Sequence, residues 1–312
     1  MAIHEISFLS ANGKTEIRAW HYTPMGTPKG VVQLVHGYNE HSRRYLHMID
    51  AFQQAGYAVF ADDHLGNGKT GYDSGTLGEP HSGGFMTYLQ DEKQLHDLAI
   101  AAYPDLPFCM FGHSWGSMLA RGYAALYGQD MKALMLCGVC SRWPGWEALA
   151  EDDALRRAAE EDPDQPGATW SAKLFYGMND RIPHPCNPSA WVAVNQNVVA
   201  DHAADPYNAK GNTLEAVYDF LQLYRFIENS QWAEKLPKRL PVYLIAGDQD
   251  PCGYYGEGVY HVANLLAENG NPVTTRVYPG YRHEIHNEPE LRGEVEQGLI
   301  AFLNAALFPE NK

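Results

Sequence analysis

The sequence Phe-Cys-Met-Phe-Gly-His-Ser-Trp-Gly, at residues 108–116, decides the fold of this 312-residue chain. Its first four residues form a short apolar run, which predicts a buried strand. Residues 117–127 have the periodicity of a helix, and a glycine follows where such a helix would end. Gly112 and Gly116 allow the strand and the helix to approach closely, which predicts a sharp turn at Ser114.

Ser114 is the candidate nucleophile of this turn. A strained strand-to-helix turn lifts the serine hydroxyl clear of the backbone. The position is also the N-terminus of a helix, where the helix dipole favours the negative charge that develops on a reacting oxygen. A glycine-rich turn whose serine has no chemical role is the alternative interpretation of the same five residues.

Segments typical of strands and helices alternate along most of the chain. A hairpin is predicted over residues 7–20, because Asn12-Gly13 supplies turn residues between two strand-like runs. Further strands are predicted at residues 31–35, 57–61, 108–111, 133–136, 242–246 and 274–278. Helices are predicted at residues 44–54, 88–102, 117–127, 259–269 and 290–306. The pattern predicts an α/β fold, in which a mostly parallel sheet of about eight strands has an antiparallel start and helices on both faces.

One segment, residues 141–236, interrupts this alternation. It lacks a clear strand and is rich in tryptophan, tyrosine and proline, so we expect an inserted, mainly helical cap above the carboxyl edge of the sheet. The α/β core then comprises residues 1–140 and 237–312. The acidic run from Glu151 to Asp164 is expected to be a solvated helix face. Six aromatic residues either line a substrate pocket or pack within the cap: Trp143, Trp146, Trp170, Phe175, Tyr176 and Trp191.

Composition argues against several classes of partner. The formal net charge is -15 and no basic run occurs, which argues against nucleic acid and against docking on anionic membranes. No stretch is long and apolar enough to span a bilayer, and residues 1–6 lack the features of a signal peptide. The five cysteines are scattered and odd in number, so a reduced, cytoplasmic protein is expected, with Cys137 and Cys140 packed in the core. The composition does not predict an oligomeric state.

The acid and the base that would activate Ser114 are predicted beyond later strands. A serine hydroxyl needs a histidine that accepts its proton, and the histidine needs a carboxylate that fixes its tautomer. Asp250 follows a predicted strand and therefore lies at the sheet edge where ligands bind, so it is the candidate acid. His283, in the loop after the last strand, is the candidate base. Asp248 is the competing acid and His286 the competing base.

Two backbone N–H groups are the candidate oxyanion hole. A tetrahedral intermediate needs hydrogen-bond donors aimed at its negative oxygen. The N–H of Trp115 directly follows the nucleophile, and the N–H of Tyr38 lies in the loop after the first parallel strand. His36, His64 and His113 are expected to make structural hydrogen bonds near this site.

Five segments of the chain resemble the monoacylglycerol lipase and lysophospholipase branch of the α/β-hydrolases, which is related to the serine aminopeptidases. They occur in the family's order, at residues 36–45 (HGYNEHSRRY), 63–68 (DHLGNG), 112–116 (GHSWG), 247–250 (GDQD) and 280–283 (GYRH). The resemblance implies an α/β-hydrolase fold with a triad of Ser114, Asp250 and His283. It also implies that the N–H groups of Tyr38 and Trp115 bind the oxyanion.

The chain departs from the family's pattern at three positions. Asn39 stands where the family often has glycine, and Trp115 and Ser117 stand where the elbow commonly has methionine and glycine. The bulk of Trp115 beside the nucleophile is expected to narrow the acyl pocket. In this family the cap decides the substrate, and the predicted cap has no recognisable sequence pattern.

The sequence predicts a serine hydrolase that cleaves carboxylic esters through an acyl-enzyme intermediate. The expected substrate is a small molecule with an apolar acyl group: a monoacylglycerol, a lysophospholipid or a small ester. An aminopeptidase or amidase of the same fold is the first alternative, and it would need a carboxylate that holds a free amine. A relative that binds a ligand without catalysis is the second.

No cofactor and no metal is expected. The sequence lacks the Gly-x-Gly-x-x-Gly motif of dinucleotide enzymes after its first parallel strand. His283-Glu284-Ile285-His286 is one residue short of the spacing that places two zinc ligands on one face of a helix.

Overall fold

The apolar runs of the sequence form the central strands of one sheet. The computed structural model describes residues 1–229 and 231–309. Its strands are β1 (Ala2–Leu9), β2 (Glu16–Thr23), β3 (Gly30–Val35), β4 (Tyr57–Asp63), β5 (Phe108–His113), β6 (Met131–Cys137), β7 (Val242–Gly247) and β8 (Val273–Tyr278). Every residue of β3, β4, β5 and β7 is buried, because helices cover both faces of the sheet.

The sheet has the order β1-β2-β4-β3-β5-β6-β7-β8. β2 pairs antiparallel with β1 and with β4, and all other neighbours are parallel. The predicted hairpin is present, although its strands extend to residues 2 and 23. The predicted α/β-hydrolase fold class is confirmed.

Twelve α-helices lie in the described part of the chain. They are α1 (Leu46–Gln54), α2 (Gly68–Ser74), α3 (Met86–Ala102), α4 (Trp115–Tyr127), α5 (Pro144–Ala150), α6 (Asp153–Glu161), α7 (Ala168–Leu174), α8 (Gln196–Ala204), α9 (Leu214–Glu228), α10 (Gln231–Glu234), α11 (Glu257–Glu268) and α12 (Arg292–Leu307). Within residues 1–229 and 231–309, none of them is both long and apolar enough to cross a membrane. The expected cytoplasmic location stays a prediction.

Alternate residues of the central strands contribute to different cores. Val31 and Val35 of β3 belong to the core beneath α3, α4 and α11, whereas Val32 and Leu34 belong to the core beneath α1 and α12. This alternation follows from the two-residue repeat of a strand. Both faces of β3 are therefore buried, and the strand positions the loop that follows it.

Helix α2 is absent from the sequence-based prediction. It begins at Gly68 and has few apolar residues, so its local sequence gives no helical pattern. A contact with the end of the preceding strand stabilises it instead, because the carboxylate of Asp63 accepts a hydrogen bond of 2.6 Å from the N–H of Lys69 in its first turn.

The segment between β6 and β7 contains α5 to α10. Its described residues form no strand, apart from an isolated bridge between Pro166 and Thr213. The acidic run forms the exposed face of α6, whose N-cap is Asp152. The division into a core of residues 1–140 and 237–312 and a cap of residues 141–236 stays a prediction. Residues 230 and 310–312, which it includes, lie outside the described residues.

Candidate active site

Ser114 lies in a strained turn between β5 and α4. Its backbone has a φ of 56° and a ψ of −123°, a conformation that side-chain-bearing residues rarely adopt. A Cβ atom at Gly112 would collide with the carbonyl oxygen of Gly116, and one at Gly116 would collide with that of Val35. The N–H of Ser114 donates to the carbonyl oxygen of Cys137 at 2.9 Å. The two glycines are therefore required where the strand and the helix approach.

His283 and Asp250 form a buried pair beside Ser114. His283 Nδ1 lies 2.9 Å from Asp250 Oδ2, and Asp250 Oδ1 accepts a hydrogen bond of 2.9 Å from the N–H of Cys252. His283 Nε2 has no hydrogen-bond partner among the described residues. His283 and Ser114 line the same cavity.

The pKa of His283 reflects two opposing causes. Burial disfavours the imidazolium and lowers the pKa, but the charge of Asp250 and its hydrogen bond favour the imidazolium and raise the pKa to about 9. A general base must be unprotonated before it accepts a proton. The pair is therefore expected to work best at alkaline pH.

Ser114 Oγ has a sulfur neighbour that the sequence analysis missed. Cys140 Sγ lies 3.9 Å from it, and no hydrogen bond joins Ser114 Oγ to His283 among the described residues. Catalytic hydrogen bonds are often long without substrate and tighten when it binds. Cys140 was expected only to pack in the core. Its position just after β6, at the sheet edge that holds Ser114, is the signal that would have indicated this contact.

The two rival residues contact other parts of the molecule. Asp248 Oδ1 accepts a hydrogen bond of 2.7 Å from the N–H of Gly280 and thereby joins two loops. The ring of His286 stacks on Tyr45, with 4.8 Å between ring centroids. Burial lowers the pKa of His286 well below its ordinary value, so this ring is neutral. The structure brings His283, rather than His286, to Asp250.

The N–H groups of Tyr38 and Trp115 are the two predicted donors of the oxyanion hole. Neither donates to an acceptor within the described residues. Gly37 lies against Ser114, since a Cβ atom there would be 3.2 Å from Ser114 Cβ. The loop that carries Tyr38 is thus held beside Ser114.

Two departures from the family's pattern have structural explanations. Asn39 has a φ of 61°, in the left-handed region that asparagine tolerates better than most residues, so it can replace glycine. The expectation that Trp115 narrows the acyl pocket is wrong. Its side chain is buried in the core against Tyr88 and Tyr38 and does not line the cavity, because α4 directs it toward α3.

The cavity above Ser114 has a volume of about 210 Å³ and is lined in part by aromatic side chains. The aromatic lining residues are Tyr38, Trp146, Phe175, Trp191 and Phe220. Three of the six aromatic residues singled out in the cap sequence therefore line it. Of the others, Trp143 is buried elsewhere, Trp170 is half-buried and Tyr176 is 80% exposed.

Two buried carboxylates also line the cavity, and the sequence analysis did not predict them. They belong to Glu40 and Glu284, and both are paired with the buried Arg44, at 2.5 Å and 2.7 Å. Burial alone would raise the pKa of each carboxyl, but Arg44 holds both well below their usual range. The four-residue spacing of Glu40 and Arg44 is the sequence signal for the first of these pairs.

Potential metal ligands also meet at this site. One ligand atom each from Asp250, Cys252 and His283 lie within 4.8 Å of one another. The hydrogen bond between Asp250 and His283 and the backbone contact of Cys252 account for this arrangement without an ion.

Comparison with known protein families matches residues 26–290 to the family described as serine aminopeptidase, S33. The match covers most of the chain. The chain belongs to this family. Within the α/β-hydrolases, this chain resembles the monoacylglycerol lipase branch, as the sequence motifs predicted.

Three relatives illustrate how similar this chain is to known proteins. A monoacylglycerol lipase of Mycolicibacterium smegmatis is 28% identical, over 86% of each chain. The monoglyceride lipase of Homo sapiens is 32% identical, over 88% of this chain and 82% of its own. The crystal structure of a thermostable carboxyl esterase from Bacillus coagulans, in complex with glycerol, has a TM-score of 0.95 and 48% identity, and covers 98% of this chain and 99% of its own.

Proposed function

We propose that this protein is a serine hydrolase of carboxylic esters, with Ser114 as nucleophile, His283 as general base and Asp250 as the acid that orients His283. One observation carries the proposal. The unpartnered Nε2 of a histidine bonded to a buried aspartate lines the same cavity as a serine in a strained strand-to-helix turn. The free N–H groups of Tyr38 and Trp115 beside that serine add support.

The proposed reaction has two stages. Ser114 Oγ attacks the ester carbonyl carbon while His283 Nε2 accepts the hydroxyl proton, and Asp250 stabilises the imidazolium. The N–H groups of Tyr38 and Trp115 stabilise the tetrahedral oxyanion. His283 then gives its proton to the leaving alcohol. A water molecule deprotonated by the same histidine then attacks the acyl carbon. The bond between that carbon and Ser114 Oγ breaks, His283 returns the proton to Ser114 Oγ, and the carboxylic acid leaves.

The cavity favours a small ester with an apolar acyl group. Its volume of about 210 Å³ is smaller than the roughly 300–1,000 Å³ of pockets that bury drug-sized ligands. The aromatic side chains in its lining suit an acyl chain, and the polar side chains suit an alcohol. Monoacylglycerols and small esters share this division, and the relatives named above include lipases and an esterase.

The cavity lining suits peptide substrates less well than it suits esters. An aminopeptidase needs a carboxylate that binds the free amine of its substrate. Glu40 and Glu284 line the cavity, but both already form ion pairs with Arg44. The named relatives likewise favour esters over peptides.

A fluorophosphonate probe tests the nucleophile. We expect the probe to label the protein at Ser114 and to leave Ser114→Ala unlabelled. Ser117→Ala is the matched control, because Ser117 is a buried serine of α4, three residues after Ser114, and lies outside the cavity lining. This control should be labelled like the unchanged protein. Equal labelling of Ser114→Ala would contradict the assignment, and absence of labelling in the unchanged protein would favour a non-catalytic ligand-binding role.

Substrate preference is tested with nitrophenyl esters of increasing acyl length alongside aminoacyl amides. We expect esters to be cleaved faster than amides, with short acyl chains preferred. Faster cleavage of the amides would overturn the proposal of an esterase.

A further inference from the structure

The peptide unit between Gly37 and Tyr38 is held by a histidine that the proposed reaction does not use. His36 Nδ1 lies 2.8 Å from the carbonyl oxygen of Gly37. The carbonyl of Gly37 and the N–H of Tyr38 belong to one planar trans unit, so they point in opposite directions. A contact that holds the carbonyl therefore also sets the direction of the N–H.

The neighbouring groups determine which tautomer His36 adopts. The carbonyl oxygen of Gly37 only accepts, so the proton lies on Nδ1. The backbone N–H of His64 donates to His36 Nε2 at 3.1 Å, so that nitrogen carries no proton. The ring is completely buried, and both of its nitrogens are occupied as a neutral Nδ1–H imidazole requires.

The charge near His36 preserves this neutral form. Burial lowers the pKa of His36 well below its ordinary value, and the nearby His64 lowers it further. The two rings stack with 3.8 Å between centroids, and His64 is held by the carboxylates of Asp62 and Glu92 at 3.1 Å and 3.3 Å. An imidazolium at His36 would also set two donors against each other at Nε2.

We propose that His36 is a positioning residue of the oxyanion hole, whose Nδ1–H fixes the Gly37 carbonyl and so aims the N–H of Tyr38 at the reacting oxygen. The proposal rests on the function proposed above. The other side of the loop is fixed as well, because the N–H of Gly37 donates to Glu40 Oε1 at 2.7 Å. With both ends of Gly37 held, the Tyr38 N–H is oriented before substrate binds, which is the condition for electrostatic stabilisation of a transition state.

Three variants distinguish a role of His36 in positioning the Tyr38 N–H from a role in packing alone. His36→Asn retains an N–H donor near the position of Nδ1, whereas His36→Phe retains only the bulk of the ring. His96→Phe is the matched control, because His96 is also buried and hydrogen-bonded, to Asp130 at 2.8 Å, but lies on α3 outside the cavity lining. Steady-state kinetics are measured together with the affinity of a boronic acid, which forms a tetrahedral anion on a serine nucleophile.

We expect His36→Phe to lower kcat by about 10- to 100-fold, because complete loss of an oxyanion donor costs about 100- to 1,000-fold. KM should change less than about twofold, and boronic acid affinity should fall with kcat, since only the transition state carries the negative oxygen. His36→Asn should recover most of the loss, and His96→Phe should retain kcat. Unchanged kcat in His36→Phe, a loss confined to KM, or equal loss in His36→Asn would overturn the proposal.

A second measurement needs no variant and stands if His36→Phe fails to fold. Nitrogen-15 NMR of the unchanged protein should show His36 as the neutral Nδ1–H tautomer from pH 5 to pH 9. An Nε2–H tautomer, or titration within this range, would overturn the proposal. Fluorophosphonate labelling of the unchanged protein shows separately whether the proposed function holds.

Discussion

Two buried histidine–aspartate pairs lie near the carboxyl edge of the sheet and have almost the same local chemistry. His283 Nδ1 is 2.9 Å from Asp250, and His64 Nδ1 is 3.1 Å from Asp62. In both pairs burial lowers the histidine pKa while the aspartate raises it, to about 9. In both, Nε2 has no hydrogen-bond partner among the described residues.

The surroundings of the two pairs differ. His283 lines the cavity that contains Ser114, whereas His64 is enclosed beneath the loop of Tyr38 and contacts a second carboxylate, Glu92, at 3.3 Å. A histidine–aspartate pair is therefore not in itself a sign of catalysis. We assign a catalytic role to the pair that opens onto a nucleophile and a supporting role to the pair that is enclosed.

Replacing the aspartate of each pair should give the largest difference in kcat between the two pairs. Asp250→Asn should lower kcat by about 10,000-fold, because the histidine loses the partner that fixes its tautomer. Asp62→Asn should lower kcat by less than about tenfold. Steady-state turnover of a nitrophenyl ester measures both.

Asp248→Asn is the control for a change within the same loop as Asp250. Asp248 bonds to the N–H of Gly280 and not to His283, so kcat should stay within about threefold of the unchanged protein. A small effect in Asp250→Asn together with a large one in Asp62→Asn would reverse the two assignments.

The pH dependence of kcat/KM should reflect the ionisation of His283 and not that of His64. Because the His283 pKa is raised to about 9, the unprotonated base becomes about tenfold scarcer for each pH unit below that value. We expect kcat/KM to rise about tenfold per unit from pH 6 to pH 8 and to level off above pH 9. Asp62→Asn should keep this midpoint. A midpoint near pH 6 in the unchanged protein would contradict the account.

The enclosed pair should affect stability more than activity. A folded-state pKa of about 9 for His64, against an ordinary 6.5, stabilises the fold fully below pH 6.5, and this contribution is lost as pH rises through 9. The shift corresponds to roughly 3 kcal/mol. Urea unfolding of the unchanged protein and of Asp62→Asn should therefore show a larger stability difference at pH 6 than at pH 9.5. An equal stability difference at the two pH values would contradict a stabilising role for the ion pair of His64 and Asp62.

Much of the fold can be predicted from the sequence because helices cover both faces of the sheet. Covered strands are continuous apolar runs, and the predicted runs at residues 31–35 and 242–246 differ from β3 and β7 by a single residue. Helix α2 is different, because it is stabilised by the carboxylate of Asp63 at the end of β4, and its own seven residues have no helical pattern.

The candidate site was predictable to the extent that its residues lie at strand ends. Ser114, Asp250 and His283 each follow a predicted strand, which is why the structure brings them to one edge. The direction of the Trp115 side chain was not predictable, because it depends on how α4 packs against α3. The pairing of Arg44 with Glu284 joins residues 240 positions apart, so no spacing rule indicates it.

Acid-quenched mass spectrometry during turnover of a nitrophenyl ester tests the central claim most directly. Cys140 Sγ lies 3.9 Å from Ser114 Oγ, and Cys252 lines the same cavity as Ser114, so this region offers three potential nucleophiles. The account predicts that the trapped acyl group lies on the peptide that contains Ser114 and is absent in Ser114→Ala. An acyl group on Cys140 or Cys252, or continued turnover of Ser114→Ala at the normal rate, would contradict it.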